Sequence, residues 1–479
     1  MKGVLIVVVV AFAGTLLYAG GNIFYNRGAT NTVIAKVNGQ AIKAQEFEKR
    51  YLDTVRYYEQ YQGTIPNTAV EELRYYTLQQ LINNKLMLQK ARQAKIKVTK
   101  DEINAEIAAI KENFVTDEEY EYWLSGMGLT DAELRTMISE NLAVEKLYDS
   151  ITKVEITEED IKKAYEQVKA SHILIEPVSD NWEAARMQAE RVRNEILKGK
   201  SFEELAKTNS ADFQTKDMGG NVGYFGRDAQ MDPNFIEAAF KLKVGEISEP
   251  VRTSYGYHLI KVTERIEAEG EEFENAKESI KAQLEARAAE TRFTEWYQQV
   301  MADAKIVVND PALRARQFVA NNQLPQAVSQ YQEAIEKNPS DPYLHLSLAS
   351  VYKQLDDPDR SLRELEEAVR LGYTDAELHL ILGMEYMDRK MNDKAAQEFR
   401  TASGLDLYNY SLHYQLKELF NQLDLPDDVK VEEERMQEII AAYEAQQKAY
   451  EAQQKAYEEQ MKALEEAQKS QTDDSGSQP

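Results

Sequence analysis

Histidine is the side chain best suited to proton and hydrogen-bond chemistry near neutral pH, and this chain contains only five of them. Two, His172 and His258, fall on the predicted first and last strands of one α/β segment, where terminal strands can meet. Along the last strand His258, Ile260 and Val262 share one face, so His258 points into the core and needs a hydrogen-bonding partner. His172 could be that partner, although two ordinary core histidines would produce the same pattern.

The other three histidines, His345, His379 and His413, recur at intervals of 34 residues. A constant interval indicates one packing position repeated in similar structural units, and it argues against a metal cluster. The chain has no cysteine, which excludes disulfides, thiolate metal sites and thiol nucleophiles. We therefore expect no metal site.

His172 and His258 belong to a predicted α/β segment that spans residues 166–265. A strand at 171–175 precedes a helix near 181–198 and a short helix that Ser201 and Glu204 can cap. Glycines at 219, 220, 223 and 226 mark turns, Asp232-Pro233 begins another helix, and Gly256 precedes the last strand.

Short sequence motifs occur throughout this α/β segment, at residues 170–174, 219–225, 230–231, 233–235, 245–251 and 253–258. They look like the successive signatures of one family, and over its whole length the segment resembles a parvulin-type peptidyl-prolyl isomerase. The resemblance implies a polar dyad of His172 and His258, with Asp212 and Thr253 completing a hydrogen-bonded site. It also implies a proline pocket lined by Val222, Phe225, Met231 and Phe235. Taken alone, those four side chains would fit ordinary core packing equally well.

Three departures from the family pattern affect the expected mechanism, pocket shape and substrate specificity. Asp212 stands where many family members carry cysteine, which argues against an obligatory covalent thiol mechanism. The turn 226–229 is one residue longer and could alter the pocket rim. The loop 176–180 is acidic and lacks the basic cluster of phosphate-directed parvulins, so specificity for phosphoserine-proline is not expected.

The residue types suit rotation about an Xaa-Pro bond, whose barrier of ~18–20 kcal/mol comes from the partial double-bond character of C–N. An apolar pocket can hold the proline ring while donors stabilise a twisted amide, so that binding favours the transition state. No bond breaks. We therefore expect no cofactor.

The N-terminal residues predict export. In residues 1–29 an apolar run at 4–19 follows Lys2 and ends at Gly20-Gly21-Asn22, with a second apolar patch at 23–25. An uncleaved anchor and a cleaved signal peptide both remain open. The bulk of Leu17, next to a cleavage site ending at Ala19, favours the anchor. The rest of the chain would then lie outside the cytoplasm, on the periplasmic side of the inner membrane, or soluble in the periplasm after cleavage.

Composition excludes several other functions. With 82 acidic against 57 basic residues and a net charge of −25, nucleic acid is a poor partner, because counterion release needs clustered Lys and Arg. An exported compartment has no ATP, and no phosphate-binding loop is visible. At 479 residues the chain is long enough for about three domains.

Residues 30–165 predict a helical domain that opens with a hairpin about Asn38-Gly39. Three helix starts carry capping signals at Thr99, Thr130 and Thr157. A long helix near 272–304 and a strand at 306–308 are predicted to complete this domain through 266–309, which makes the α/β segment an insertion. The residues 37–39 and 81–86 resemble the SurA/PrsA/PpiD type of parvulin foldase, and this implies a cradle for unfolded clients.

Residues 310–425 repeat every 34 residues, the length of a tetratricopeptide unit. Small residues recur at 315, 349 and 383, at 327, 361 and 395, and at 334, 368 and 402; large ones recur at 318, 352, 386 and 420 and at 331, 365 and 399. Three helix pairs and one closing helix are predicted. Such stacks usually bind peptides or proteins, so a protein partner or a second client surface is expected here.

Residues 426–479 predict a polar helical tail. A seven-residue repeat begins at Ala442 and fits either a weak coiled coil or a single exposed helix, and composition assigns 471–479 to a disordered end. The fold class is thus mainly α, with one α+β parvulin domain, a small antiparallel sheet, a tetratricopeptide solenoid and a long C-terminal helix.

Three functions are consistent with these sequence features. The first is a prolyl isomerase and chaperone for unfolded or nascent exported polypeptides in the bacterial envelope. The second is a non-catalytic holdase that keeps the parvulin fold as a binding module. The third is an envelope assembly scaffold that uses the repeats and the C-terminal helix.

Overall fold

The computed structural model describes residues 32–62 and 65–474 of the chain. The predicted export segment lies outside these residues, as do positions 475–479. Within the described ranges, no helix is long and apolar enough to cross a membrane.

Contacts within the chain divide it into two compact units. Of the described residues, the first comprises 32–62, 65–90, Thr99–Ile138 and 304–474, and the second comprises Ala91–Val98 and Ser139–Asp303. The predicted fold class is confirmed: the chain is mainly helical, with two small antiparallel sheets.

The smaller sheet belongs to the first unit. Its strands are β1 (Val33–Val37), β2 (Gln40–Lys43) and a third strand at Ile306–Val308, in the order β2, β1, Ile306–Val308. Asn38 and Gly39 have φ of 50° and 85°, as a type I′ turn requires, so the predicted hairpin is confirmed. The third strand pairs antiparallel with β1, so the chain returns to the hairpin after residue 303.

Helices follow the hairpin as predicted: α1 Ala44–Gln62, α2 Val70–Gln93, α3 Lys100–Lys111, α4 Asp117–Gly126, α5 Asp131–Thr152 and α6 Glu158–Tyr165. The three predicted capping boxes are present. At α3, Glu102 N–H donates to Thr99 Oγ1 at 3.3 Å while Thr99 N–H donates to Glu102 Oε2 at 2.8 Å. Thr130 and Thr157 make the same reciprocal bonds at the starts of α5 and α6.

The second unit contains the α/β segment. Its elements are β3 Gln167–Ile175, α7 Trp182–Leu197, α8 Phe202–Asn209, β4 Asn221–Phe225, α9 Pro233–Lys241, β5 Val251–Arg252 and β6 Tyr257–Ile266. The sheet is antiparallel with strand order β4-β3-β6-β5. Ile173 and Leu259 pack with α7 and α8 on one face, whereas Val168 and Ile260 pack with α9 on the other.

A long helix, α10 (Gly270–Asp303), follows β6 and groups with the second unit. Only the strand Ile306–Val308, which we label β7, joins the hairpin of the first unit. The assignment of all of 266–309 to the N-terminal domain therefore stays a prediction.

The repeats consist of three helix pairs and a closing helix: α11 Pro311–Ala320, α12 Leu324–Lys337, α13 Pro342–Gln354, α14 Pro358–Leu371, α15 Ala376–Asp388, α16 Asn392–Leu405 and α17 Tyr410–Gln422. The recurring small residues are buried because neighbouring helices approach closely there. At Gly383, for example, a Cβ atom would lie 2.5 Å from the ring of Phe399.

The last helix, α18 (Pro426–Asp474), differs from the predicted free tail in two respects. Its first turns pack against α17, where Glu432 is only 1% exposed, so the closing helix has a partner. It also continues to Asp474, so the prediction of disorder is wrong for residues 471–474, because extending an existing helix costs little. Tyr443, Tyr450 and Tyr457 form an exposed stripe along it.

Candidate active site

The pairing of β3 with β6 brings the two histidines of the α/β segment together. His172 lies opposite Ile260 and His258 lies opposite Leu174, so the two histidines are diagonal neighbours on one face of the sheet. Each is 6% exposed. Their Nδ1 atoms are 2.9 Å apart, within hydrogen-bond distance.

The hydrogen bonds continue on both sides of this pair. His172 Nε2 lies 2.7 Å from Asp212 Oδ2, and His258 Nε2 lies 2.9 Å from Thr253 Oγ1. The four polar residues implied by the parvulin resemblance are therefore connected by successive hydrogen bonds, in the order Asp212, His172, His258, Thr253.

The Asp212 carboxylate determines which atoms donate and which accept in this series of hydrogen bonds. Burial would raise the pKa of Asp212, but hydrogen bonds from Thr215, from His172 and from the Gln214 N–H together lower it below its usual value. An ionised carboxylate only accepts, so His172 donates from Nε2, and in the neutral imidazole its Nδ1 accepts. His258 must then donate from Nδ1, which leaves its Nε2 to accept the Thr253 hydroxyl.

His258 is held in the neutral form. Burial is the largest cause, and the neighbouring His172 adds to it, so the pKa of His258 falls to about 4 although Asp232 and Asp212 oppose the shift. At neutral pH the imidazole therefore carries no charge, which suits a site that borders an apolar surface.

That apolar surface is centred on Phe235. Its ring meets His172 and His258 nearly edge-on, with centroid distances of 5.6 and 5.2 Å, and it lies 5.9 Å from the ring of Phe225. Phe225 and Phe235 are buried at 7% and 2% exposure. Val222 and Met231 are partly buried and pack against the same cluster. All four predicted pocket residues thus meet on the α9 face of the sheet.

Two positioning residues were missed at the sequence level. Thr215 donates to Asp212 Oδ2 at 2.5 Å and lies 3.1 Å from His172 Nε2. Gly220, with φ of 78°, accepts the His172 N–H at 2.8 Å, and a Cβ atom there would lie 2.0 Å from the His172 carbonyl oxygen. The positive φ expected of a glycine pair was the available signal for Gly220. Nothing in the local pattern marks Thr215.

The histidines of the repeats do not approach one another as metal ligands. The Nδ1 atom of each lies within hydrogen-bond distance of one glutamate carboxyl group: His345 of Glu364, His379 of Glu398 and His413 of Glu432. Within residues 32–62 and 65–474 no group of three or more His, Asp or Glu side chains is placed to hold a metal ion.

Three family models match the chain along its length. Residues 1–148 match a SurA-like N-terminal domain, residues 151–266 match a PPIC-type PPIase domain, and residues 315–356 match a TPR repeat. The second match covers the sheet and the histidine dyad.

One relative, Foldase protein PrsA 2 of Bacillus cereus, is 37% identical over 233 residues, which cover 48% of this chain and 76% of the relative. The chain belongs to the PrsA foldase family. Foldase protein PrsA of Clostridium botulinum strain Langeland is 29% identical to this PrsA-family chain over 301 residues, which cover 57% of it and 87% of the relative.

Solved structures of PrsA proteins are also similar to this PrsA-family chain. The Bacillus anthracis protein is 30% identical with a TM-score of 0.25, and the match covers 46% of this chain and 97% of that one. The Bacillus cereus protein is 26% identical with a TM-score of 0.30, covering 60% and 96%. The family models and the relatives confirm the parvulin and PrsA-type resemblance, and the chain is a foldase with peptidyl-prolyl isomerase activity.

Proposed function

We propose that the four hydrogen-bonded polar residues of the α/β segment form the catalytic centre of this isomerase. The adjoining apolar surface around Phe235 would hold the proline ring. The catalytic residues would be His172, Asp212, Thr253 and His258. The substrate-binding residues would be Val222, Phe225, Met231 and Phe235.

The contact between the histidine dyad and Phe235 is the main support for this proposal. The buried dyad is in contact with Phe235 through both imidazole rings, so polar groups and apolar surface meet at one place. Twisting an Xaa-Pro bond removes amide resonance and leaves a more amine-like nitrogen and a ketone-like carbonyl. A site that binds the ring apolarly and offers hydrogen bonds to the twisted amide lowers the barrier without breaking a bond.

The neutral state of His258 supports the same proposal. A charged imidazolium beside Phe235 would lose hydration when a proline ring covers it, whereas a neutral imidazole loses little. Asp212 keeps the dyad in one tautomer without needing to contact the substrate. Asp212 would then act mainly through His172.

The substrates we propose are Xaa-Pro segments of unfolded or nascent exported polypeptides. Exposed apolar side chains lie close in sequence to the catalytic residues, namely Phe213 at 80%, Met218 at 65% and Tyr255 at 67% exposure, and they could contact flanking residues of a client. The acidic loop at 176–180 offers no basic cluster for a phosphate.

We also propose that the protein works outside the cytoplasm, attached to the membrane by residues 1–29 or released after their cleavage. The SurA-like region would hold unfolded clients while the α/β segment isomerises their proline bonds, a reaction slow enough to limit folding. Mass spectrometry of the mature N-terminus decides between anchor and cleaved signal.

The deciding experiment is a prolyl isomerisation assay on a soluble form that begins at Asn31, with unphosphorylated proline peptides. His258→Ala and Met231→Ala should lower kcat/KM by roughly 10²-fold, the usual effect of losing one transition-state contact. His345→Ala, which removes a histidine of the repeats, is the matched control and should keep full activity. Full activity of His258→Ala would refute the proposed centre, while prevention of client aggregation should survive both site variants.

A further inference from the structure

A short segment of the N-terminal part of the first unit contacts the repeats. We call residues 67–72 the docking segment; it consists of the 3-10 turn Asn67–Ala69 and the first residues of α2. Asn67 Nδ2 donates to Asp375 Oδ2 at 3.0 Å, and Thr68 Oγ1 donates to Glu377 Oε1 at 2.6 Å. Both acceptors lie at the start of α15, the first helix of the third repeat.

The carboxylates of the docking segment reach the other two repeats. Glu71 Oε2 accepts from Ser347 Oγ at 2.5 Å and from Tyr331 OH at 3.4 Å, and Glu72 pairs with Arg316. Arg316 and Ser347 lie on α11 and α13, the first helices of repeats one and two. Four residues of the docking segment therefore touch all three repeats. Their partners lie on the first helices, a side that we call the first-helix face, except for Tyr331 on α12.

The contact at Glu71 depends on an oxygen acceptor that is buried among hydrogen-bond donors. Burial is the main cause that raises the pKa of Glu71 to about 7, with Asp341 adding to the rise, while Arg316 and the hydroxyls of Ser347 and Tyr331 oppose it. A buried carboxyl group is tolerated only where donors satisfy it. Ser347 and Tyr331 supply those donors, and Tyr331 is itself fully buried in the repeat core.

We propose that the repeats of this chain act as an internal clamp: their first-helix face is a docking site for residues 67–72 of the same chain, and Glu71 is the side chain that the site recognises. Solenoids commonly bind other proteins through such a continuous face. Here the chain's own segment occupies it, and the effective concentration of a tethered segment is on the order of millimolar. A separate protein that uses this face must therefore displace the docking segment.

Every contact named above is a hydrogen bond or an ion pair, and both partners of each can be solvated when they separate. Opening of the clamp therefore breaks hydrogen bonds and an ion pair that water can replace. Docking holds α2, which carries the core residues Leu78, Ile82 and Leu86 of the N-terminal helices, against the repeats at its first turn.

The cysteine-free sequence allows a direct test by cross-linking. In the full chain, Thr68→Cys with Glu377→Cys should form an intramolecular link with a short bis-maleimide, in a yield that does not change on tenfold dilution. Thr68→Cys with Glu367→Cys, which puts the second thiol on α14 of the second repeat, is the matched control and should link at least tenfold less.

Glu71→Lys in the first pair should reduce the link to the control level, whereas Glu71→Gln, which keeps an acceptor for Ser347, should retain it. Ser347→Glu opposes Glu71 from the side of the repeats and serves as the second disrupting variant, should circular dichroism show that Glu71→Lys unfolds the chain. Equal yields in the two cysteine pairs, or a link that persists in Glu71→Lys and Ser347→Glu, would overturn the clamp.

Discussion

The α/β segment and the repeats both bury histidines, but they satisfy them in different ways. In the α/β segment His172 and His258 bond to each other, and only His172 reaches a carboxylate. In the repeats each histidine bonds to a glutamate 19 residues further along the chain, at distances of 2.7, 2.6 and 2.5 Å for His345–Glu364, His379–Glu398 and His413–Glu432.

The difference shows in the pKa values. Burial lowers the pKa of His258 to about 4, because its imidazole partner offers no negative charge. The hydrogen bond to Glu398 raises the pKa of His379, and burial opposes this only in part. Similar burial therefore gives a neutral histidine in one region and favours a charged one in the other, according to the hydrogen-bonding partner.

The largest loss of stability is expected at His413, the last of the three histidines in the repeats. The side chains of His413 and Glu432 are 0% and 1% exposed, so His413→Ala removes one of the two hydrogen-bond partners of a buried carboxyl group and should cost roughly 3–5 kcal/mol. His345 and Glu364 are 11% and 25% exposed, and His345→Ala should cost about 1 kcal/mol. Hydrogen exchange of α13 to α17 measures both. Equal losses would mean that burial of the pair does not matter.

The second prediction sets the pH dependence of the two regions against each other. The folded pKa of His258, about 4, lies below the unfolded value of 6.5. Its contribution is therefore fully present above pH 6.5 and is lost as the pH falls towards 4, by about 3 kcal/mol in total. His379 has the opposite sign, because its raised pKa gives stability below the unfolded value that is lost as the pH rises through the folded value.

Hydrogen exchange at pH 7.5 and pH 5 measures these shifts in peptides from β3 and β6 and from α15 and α16, after correction for the intrinsic exchange rate. His258→Gln should flatten the response of the strands, and His379→Gln should flatten that of the helices. A strand response that is unchanged in His258→Gln would contradict the assignment.

The third prediction compares a glycine in each region. Gly220→Ala places a Cβ atom 2.0 Å from the His172 carbonyl at a positive φ, and should destabilise the α/β segment by about 2 kcal/mol and lower isomerase activity more than tenfold. Gly404, near the end of α16, has no atom within 4 Å of such a Cβ, so Gly404→Ala should be neutral or stabilise by up to about 1 kcal/mol. Thermal unfolding and the peptide assay measure both, and full activity of Gly220→Ala would exclude a role in positioning His172.

The smallest expected effect concerns Thr215. Thr215→Val removes the hydroxyl that donates to Asp212, which should weaken the orientation of the dyad by about 1 kcal/mol and lower kcat/KM roughly fivefold. Thr215→Ser keeps the hydroxyl and should restore most of the activity. If Val and Ser variants behave alike, the hydroxyl does not position the dyad.

Local patterns were enough to predict much of the fold. The Asn38-Gly39 turn, the capping boxes at Thr99, Thr130 and Thr157 and the 34-residue repeat all depend on residues near one another in the chain, and all are present. The tail was less predictable. In the sequence, Glu432 is one of many charged residues in a polar helix. Its burial depends on contacts with His413 and Ser403, which lie on other helices.

The sequence by itself determined the fold class, the periodicity of the repeats and the residue types of the candidate site, since spacing and turn chemistry are local properties. Only the tertiary structure decided how His172 meets His258, which of their nitrogens donate, that Thr215 joins them and that Glu71 reaches Ser347. Those contacts join residues that are as much as 276 positions apart, as Glu71 and Ser347 are. Hydrogen-bond direction and burial depend on the whole set of neighbours, which a linear pattern does not contain.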